Sequence, residues 1–338
     1  MEYHRQRVLK IMIENRALLV VLNEHEFCSD EMLATQFATT HSAINKAIKC
    51  LQSLGLMIES VAGKGYRLQH KLELLDSDVI HSHLQKGCHS SKDQLLLFDQ
   101  LSSTNQLASK LVAPNQGYWS AVLSELQTAG RGRRGRTWVS PYAANIYLSM
   151  VWTLSRPLSQ ATVLSPFLAL RVGQCLQRLG VPDVQVKWPN DIYCDGKKVA
   201  GLLLECFAEL TDSCTLVIGV GVNVSMSTYK TITIDQEWID LLAVMGADDC
   251  LSRNQLAAEL INSLFAALLE FESDQMGAWQ EQWQAMDAFH GQSVSLQDPY
   301  QGLSGIARGI CADGAYKVSN KEGEHRLLTG DMSLRRMI

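Results

Sequence analysis

Seven consecutive residues, Gly130-Arg131-Gly132-Arg133-Arg134-Gly135-Arg136, constrain this chain more than any other stretch. Gly130, Gly132 and Gly135 match G-x-G-x-x-G, the spacing of a dinucleotide-binding turn. Such a turn must open a helix whose N-terminus meets the pyrophosphate. Here Trp138-Val139-Ser140-Pro141 follows instead, and a proline cannot sit in a helix interior. No acidic residue stands about 20 positions on, where a ribose contact would be needed. The context refuses a Rossmann fold. A P-loop is absent too, because G-x-x-x-x-G-K-[ST] occurs nowhere, and protein-kinase motifs are missing. The bland reading of the seven residues is a solvated basic loop. The sharper one follows from guanidinium chemistry: each group grips carboxylate or phosphate oxygens in a fork and never loses its charge. A glycine-rich segment of this kind can fold over a small anion and a nucleotide, screening charge during phosphate chemistry.

Composition sets the frame for that loop. A length of 338 residues suits two or three domains. With 30 basic and 35 acidic residues the net charge is −5, so cationic function has to be local rather than a general nucleic-acid coat. Hydrophobic residues at 46% and charged ones at 19% support an ordinary globular core. Met1 is followed by no basic n-region, apolar run and cleavage site, and the uncharged window Thr137–Ser155 is interrupted by Pro141 and Asn145. We therefore expect neither a secretory signal nor a membrane span. Nine cysteines without a C-x-x-C pair read as small buried hydrophobes in a reducing cytoplasm, not as a disulfide framework or zinc site. His81, His83, Cys88 and His89 are irregularly spaced and make a poor metal set.

Three regions differ in pattern. Arg7 to Asn23 carries a helical apolar stripe; Ser29-Asp30-Glu31-Met32 opens a second helix with Ser29 as N-cap. Thr39-Thr40-His41-Ser42 supplies a turn and cap for a third, with Ile44, Ala47, Ile48 and Leu51 on one face and Gly55 as its stop. Met57–Ser60 and Tyr66–Leu68 around Gly63-Lys64-Gly65 read as a hairpin wing. The block from about 71 to 285 alternates. Leu95–Phe98, Ala121–Leu123, Ile146–Met150 and Leu216–Val220 read as strands, and Val163–Leu179 and Gln255–Phe271 as amphipathic helices. From about Gly291 short alternating runs return, with Asp313-Gly314 as a hairpin signal, which predicts a small β-barrel-like cap.

Companion motifs share the arginine loop's chemistry. Ser103-Thr104-Asn105 lies between a strand and a helix, where an ordinary helix cap is the plain reading. Gln127 ends a strand three residues before Gly130. Lys187-Trp188-Pro189-Asn190-Asp191 sets a phosphate-binding cation beside a carboxylate suited to Mg²⁺; its bland alternative is a proline turn with a buried Trp. Lys198, ahead of Ala200-Gly201 and an apolar run, is either a snorkelling surface residue or a desolvated cation aimed at an anion. Gly219-Val220-Gly221-Val222-Asn223 ends a strand with small residues, which would allow close approach of a ligand. No Ser/His/Asp or Cys/His nucleophile constellation is evident.

In this order the motifs resemble those of the bifunctional biotin protein ligases, which are also repressors of biotin operons, over essentially the whole length. The resemblance implies an α+β protein. Its parts would be an N-terminal winged helix-turn-helix (1–70), a central mixed-sheet biotin/lipoate ligase-like catalytic domain (71–285) and a C-terminal SH3-like β domain (286–338). It implies biotin contacts at Ser103, Thr104, Asn105, Gln127, Arg131, Gly132, Arg133 and Lys198. Arg136, Asn190, Asp191, Asn223 and Trp238 would lie near ATP or the adenylate, with Asp191 also a candidate Mg²⁺ ligand. Lys198, Arg133, Arg136 and Lys187 would carry the catalytic charge. The implied partners are biotin, ATP, a biotin carboxyl carrier protein, operator DNA and a second copy of the chain, with no membrane and a cytoplasmic setting. Leu216–Val220 and its sheet are candidates for the dimer surface.

Residues 1–70 hold 8 Lys+Arg and 7 Asp+Glu, a balance of only +1. The distribution says more, because Lys46, Lys49, Lys64 and Arg67 fall on the third helix and wing. In a winged helix-turn-helix that helix enters the major groove, giving Ser42, Asn45, Lys46, Lys49 and Lys64 as DNA contacts. The alternative is a three-helix interaction module without DNA. His41 stands where relatives commonly carry Arg, and Thr137 where a basic residue is common. The rival enzyme is a lipoate–protein ligase; the rival from another class is a regulator that binds a metabolite without catalysis.

Overall fold

A computed structural model describes residues 16–88, 94–111, 119–155, 162–210, 213–229, 233–246, 251–297, 302–328 and 333–336. The first unit begins with helix α1 (residues 16–24); the earlier part of the expected stripe lies outside the described residues. In α2 (Asp30–Gln36) the N-cap Ser29 Oγ accepts from Met32 N at 3.1 Å, and in α3 (His41–Ser53) Thr40 Oγ1 accepts from Ala43 N at 3.2 Å. Each hydroxyl satisfies a donor that the first helical turn leaves unpaired. Ile44, Ile48 and Leu51, spaced at one helical stripe, bury against Leu18, Leu19, Leu22 and Leu33. Gly55, at φ +90°, lets the chain leave α3. The wing is the antiparallel pair β1 (Ile58–Val61) and β2 (Gly65–Leu68).

The linker passes through α4 (Ser77–His83) into a seven-stranded mixed sheet of order β3-β4-β5-β9-β8-β7-β6. Its members, in chain order, are β3 (Leu95–Leu101), β4 (Trp119–Gln127), β5 (Asn145–Leu154), β6 (Gln185–Lys187), β7 (Asp191–Cys194), β8 (Lys197–Leu210) and β9 (Ser213–Asn223). Only β3 and β4 run parallel, with the short α5 (Thr104–Ala108) in their connection. A period of two sorts the side chains. Ile146, Leu148, Met150 and Trp152 of β5, with Ile218, Val220 and Val222 of β9, join the large core under α6 (Leu164–Arg178). Behind the short α7 (Leu241–Met245), α8 (Arg253–Glu272) and α9 (Trp279–Met286) complete that layer. The alternate residues Tyr147, Ser149, Gly219 and Gly221 point to the opposite face, and the functional cavity lies there.

β9 lies between β5 and β8, and Leu216–Val220 are buried. That strand offers neither an edge nor an exposed face, so it cannot itself form the dimer surface. The strands β6 and β7 were not legible as such: Lys187 ends one, Asp191 begins the next, and the turn between them holds a cis Trp188–Pro189 bond.

The last unit is an antiparallel sheet of order β13-β12-β11-β10-β14. It comprises β10 (Ser293–Gln297), β11 (Ser304–Ile310), β12 (Tyr316–Asn320), β13 (Gly323–Leu327) and β14 (Ser333–Arg336). One apolar cluster runs through the central and C-terminal sheets alike, taking in Val294, Ala307, Tyr316 and Val318. Trp188 Nε1 donates to Gly314 O at 3.0 Å across the same junction.

At the other end, Tyr142 and Ala143 of the central unit join the apolar cluster of the winged helix. Glu125, fully buried, accepts from Arg253 at 2.7 Å and from Leu75 N at 2.5 Å, with Arg16 of α1 at 3.5 Å. Burial raises the pKa of nearby Asp99, whose carboxylate accepts from Tyr142 Oη.

Five cysteines are buried as expected (Cys28, Cys88, Cys175, Cys194, Cys214), whereas Cys50 and Cys206 are exposed and Cys311 is half-buried; Cys250 lies outside the described residues. Among the described residues no helix is long and apolar enough to cross a membrane, and no group of three or more His, Cys, Asp or Glu could hold a metal ion. His89 lies outside the described residues.

Candidate functional site

A cavity of about 630 Å³ opens on the face of the sheet opposite α6 and α8, beside the short α5, and is walled by residues 131–139 of the arginine loop. Among the described residues six cations line it (Arg131, Arg133, Arg134, Arg136, Lys187, Lys198) against two carboxylates, Asp191 and Asp235. A chain of net charge −5 thus gathers a positive interior here. Neither Cys nor His lines the cavity among the described residues.

The glycines of the loop differ in purpose. Gly130 is a packing position, since a Cβ there would lie 2.5 Å from Trp138 O and 2.7 Å from Ser140 Oγ. Gly135, at φ +69°, follows Arg134 at φ +60° in a left-handed turn. Gly132 N donates to Arg136 O at 2.7 Å and closes the loop on itself. Arg131 reaches Glu205 at 3.8 Å, and Arg133 Nη1 donates to Asn190 Oδ1 at 3.3 Å.

Lys198 is mostly buried, with Nζ 2.7 Å from Asp191 Oδ1 and 5.3 Å from the Trp138 ring centre. It is therefore no snorkelling surface residue. Gly201 makes room for this pair, because a Cβ there would come within 2.9 Å of Lys198 Cε. Lys187 also lines the cavity, and its Nζ donates to Tyr193 Oη at 2.9 Å between the Tyr193 and Phe289 rings.

The cavity floor is a network of neutral polar groups. Ser103 occupies the N-cap of α5 but makes no side-chain cap bond, which sets aside the plain helix-cap reading. Thr104 N donates to Gln127 Oε1 at 2.9 Å, and Gln127 Nε2 to Ser140 Oγ at 3.1 Å. Asn105 Nδ2 donates to Glu205 Oε2 at 2.8 Å. Ser149 of β5, fully buried, lies 2.7 Å from Thr104 Oγ1 and 2.5 Å from Asn105 Oδ1. Ser149 and Glu205 were missed in the sequence; their only signal is a polar residue inside an apolar strand.

Gly219 and Gly221 line the cavity and also make room for side chains from other elements. A Cβ at 219 would lie 2.3 Å from Asn105 Oδ1, and one at 221 would lie 2.4 Å from the Trp138 ring. These glycines admit the two side chains that shape the cavity. Trp138 Nε1 is buried without a hydrogen-bond partner among the described residues.

Two expected residues stand apart. Asn223 is outside the lining; its Nδ2 donates to Ile239 O at 3.1 Å and Lys198 O at 3.4 Å, tying down the strand that carries Lys198. Trp238 forms a parallel bridge with Lys198 and lines a neighbouring shallow depression with Lys197 and Glu237, while residues 233–236 reach the main cavity.

On the winged helix, Ser42, Asn45, Lys46 and Lys49 are exposed along one groove with His41 and Asp30. Asn45 Nδ2 donates to Tyr66 Oη at 3.2 Å, and Tyr66 in turn donates to Asp30 Oδ1 at 3.0 Å. Lys64 lies 4.9 Å and Arg67 5.1 Å from the Phe27 ring, and Arg67 pairs with Glu59 at 2.6 Å. The wing's cations are thereby braced on α2's approach.

Residues 97–223 match the biotin/lipoate A/B protein ligase family, and residues 14–67 match an HTH domain. The chain is 37% identical over 319 residues to the bifunctional ligase/repressor BirA of Salmonella typhimurium, covering 94% of this chain and 96% of that protein. It is 36% identical, with the same coverage, to BirA of Escherichia coli. A biotin protein ligase from Aquifex aeolicus, solved with biotin and ATP, aligns with 72% of this chain and 99% of its own at a TM-score of 0.58; at 24% identity the likeness is one of fold.

Proposed function

This chain belongs to the family of bifunctional biotin ligase/repressors, and we propose that its cavity joins biotin to ATP and passes the activated biotin to a carrier protein. It is an ATP-dependent biotin–[acetyl-CoA-carboxylase] ligase and a DNA-binding repressor. Biotin's carboxylate oxygen attacks the α-phosphorus of ATP, the bond to pyrophosphate breaks, and biotinyl-5′-adenylate forms. A lysine amine of the biotin carboxyl carrier protein then attacks the acyl carbon, and AMP leaves as the amide is made.

The observation that carries the site assignment is that, among the described residues, six cations face two carboxylates in a cavity lined by neither Cys nor His. Two anions must approach each other, so screening charge is the main requirement and a protein nucleophile is unnecessary. Lys198, Arg133, Arg136 and Lys187 supply that charge in this reading. Ser103, Thr104, Asn105, Gln127, Arg131, Gly132, Arg133 and Lys198 surround biotin, while Arg136, Asn190 and Asp191 lie toward the adenylate. Asn223 acts through the Lys198 strand, and Trp238 closes from beside it. Mg²⁺ would enter as the ATP complex, with Asp191 offering one carboxylate and phosphates and water the remaining ligands.

Residues 1–70 read operator DNA through Ser42, Asn45, Lys46, Lys49 and Lys64, residues 71–285 catalyse, and residues 286–338 back the nucleotide end. Repression by a cytoplasmic homodimer completes the proposal. The test combines two assays. Incubation with ATP, biotin and a carrier domain should add one biotin to the carrier's mass, and no increase removes the ligase assignment. A gel shift with a fragment upstream of biotin-synthesis genes should respond to the adenylate, and none would remove the repressor.

A further inference from the structure

Beneath the arginine loop the hydroxyl and amide protons can be placed one by one. Glu205 accepts from Asn105 Nδ2 at 2.8 Å. An ionised carboxylate only accepts, so this contact turns the amide nitrogen toward Glu205 and leaves Asn105 Oδ1 facing Ser149. Ser149 Oγ is 2.5 Å from that oxygen, which has no proton to give, so the Ser149 proton goes to Asn105. Ser149 Oγ is also 2.7 Å from Thr104 Oγ1. Two hydroxyl oxygens that close need a proton between them, and the one remaining is Thr104's. Thr104 has one proton for two neighbouring acceptors, Ser149 Oγ at 2.7 Å and Gln127 Oε1 at 3.1 Å; the shorter contact takes it, so toward the cavity Thr104 can only accept.

Gln127 Oε1, 3.1 Å from Thr104 Oγ1, is fixed as an acceptor by separate contacts. Ser140 gives its proton to the Trp138 carbonyl at 2.9 Å and must accept from Gln127 Nε2. Two acceptors thus stand side by side in a cavity wall, and a pair of this kind calls for a donor on the ligand.

We propose that Glu205, through the Asn105–Ser149–Thr104 chain, is a specificity-determining positioning residue that makes the cavity select a head group presenting N–H donors. The cyclic urea of biotin meets that demand; a dithiolane or another ring without N–H leaves both acceptors buried and unpaired. Sites built around such hydrogen bonds reject the ligand that lacks them far more strongly than apolar pockets do. The inference rests on the biotin assignment and deepens it.

The test measures kcat and KM for pyrophosphate release with biotin and with an analogue whose two ureido N–H groups are replaced by ring oxygens. Unaltered protein, Glu205→Gln and Ser149→Ala are compared. Glutamine keeps the shape of Glu205 but can donate, so Asn105 is free to turn over. Unaltered protein should prefer biotin by more than about 100-fold. In Glu205→Gln the KM for biotin should rise about five- to tenfold with kcat nearly unchanged, the weight of one hydrogen bond, and the preference should fall by a similar factor. Ser149→Ala should lose preference likewise, so either folded variant suffices. A preference retained in both variants overturns the inference whatever happens to the rates, because a loosened pocket or a weakened Arg131 contact penalises both substrates alike. Absence of biotin-dependent pyrophosphate release from unaltered protein overturns the biotin assignment instead.

Discussion

Lys198 Nζ lies 2.7 Å from Asp191 Oδ1 across the β7–β8 hairpin, with both groups over the bare Cα of Gly201. The fold itself holds the ammonium in place, so the proposed reaction would need little reorganisation around it.

Replacing Lys198 by Ala should therefore lower biotin-dependent pyrophosphate release by about 100-fold or more, the usual loss for one preorganised donor. Circular dichroism of the variant should match the parent. An unchanged rate would show that the ammonium serves the fold alone.

Gly219→Ala should damage binding through Asn105. Its Cβ would lie 2.3 Å from Asn105 Oδ1, deep in the sheet, where neither backbone nor amide can step aside cheaply. We expect biotin affinity to fall by more than about tenfold and stability by about 1–3 kcal/mol, as for other overpacked interiors. Calorimetric titration and thermal melting measure the two; wild-type affinity in a folded variant would contradict the packing account.

The N-terminus of α8 gives a pH prediction. Glu73 Oε2 accepts from Arg253 N at 2.6 Å and Oε1 from Asn254 Nδ2 at 2.8 Å, while Ser252 Oγ donates to Oε1. Burial alone would raise this carboxyl, but these bonds outweigh it and hold its pKa below the ordinary 4.5. A depressed folded pKa gives stability that is present above the unfolded pKa and lost as pH falls through the folded one. Glu73→Gln should thus cost up to about 1 kcal/mol at pH 7, the lower half of capping values because the residue is solvent-accessible. The gap between variant and parent should close below pH 4.5 in urea titrations. A gap independent of pH would assign the effect to shape.

Lys46→Ala and Lys49→Ala should weaken DNA binding evenly across operator and random sequences. Both are exposed in the groove of α3, where phosphate is the natural ligand. The slope of log affinity against log salt should become shallower by about one per lysine. Loss confined to the operator would make them base readers.

Much of the local structure was legible because its causes are local. Caps at Ser29 and Thr40, the Ile44–Ile48–Leu51 stripe and the strand at Ile146–Met150 follow from neighbouring residues. The cavity's floor was not, since Ser149 meets Asn105 across 44 positions and Asn105 meets Glu205 across 100. No short-range pattern distinguishes such a serine from any small strand residue. Gly219 and Gly221 were legible as space but not as space for whom; their occupants, Asn105 and Trp138, come from other elements. Glu125 and Arg253 escaped for the same reason, being 128 residues apart and buried only as a pair.

Behind the Lys187–Asp191 turn, the indole of Trp188 is tethered to Gly314 and its ring packs 5.7 Å from that of Tyr316. Trimming the protein to the segment that holds every assigned contact would spare the reacting groups yet strip away their buttress. A minimal version ending near 285 should therefore misplace the Lys187–Asp191 turn, and the tail earns its keep as masonry.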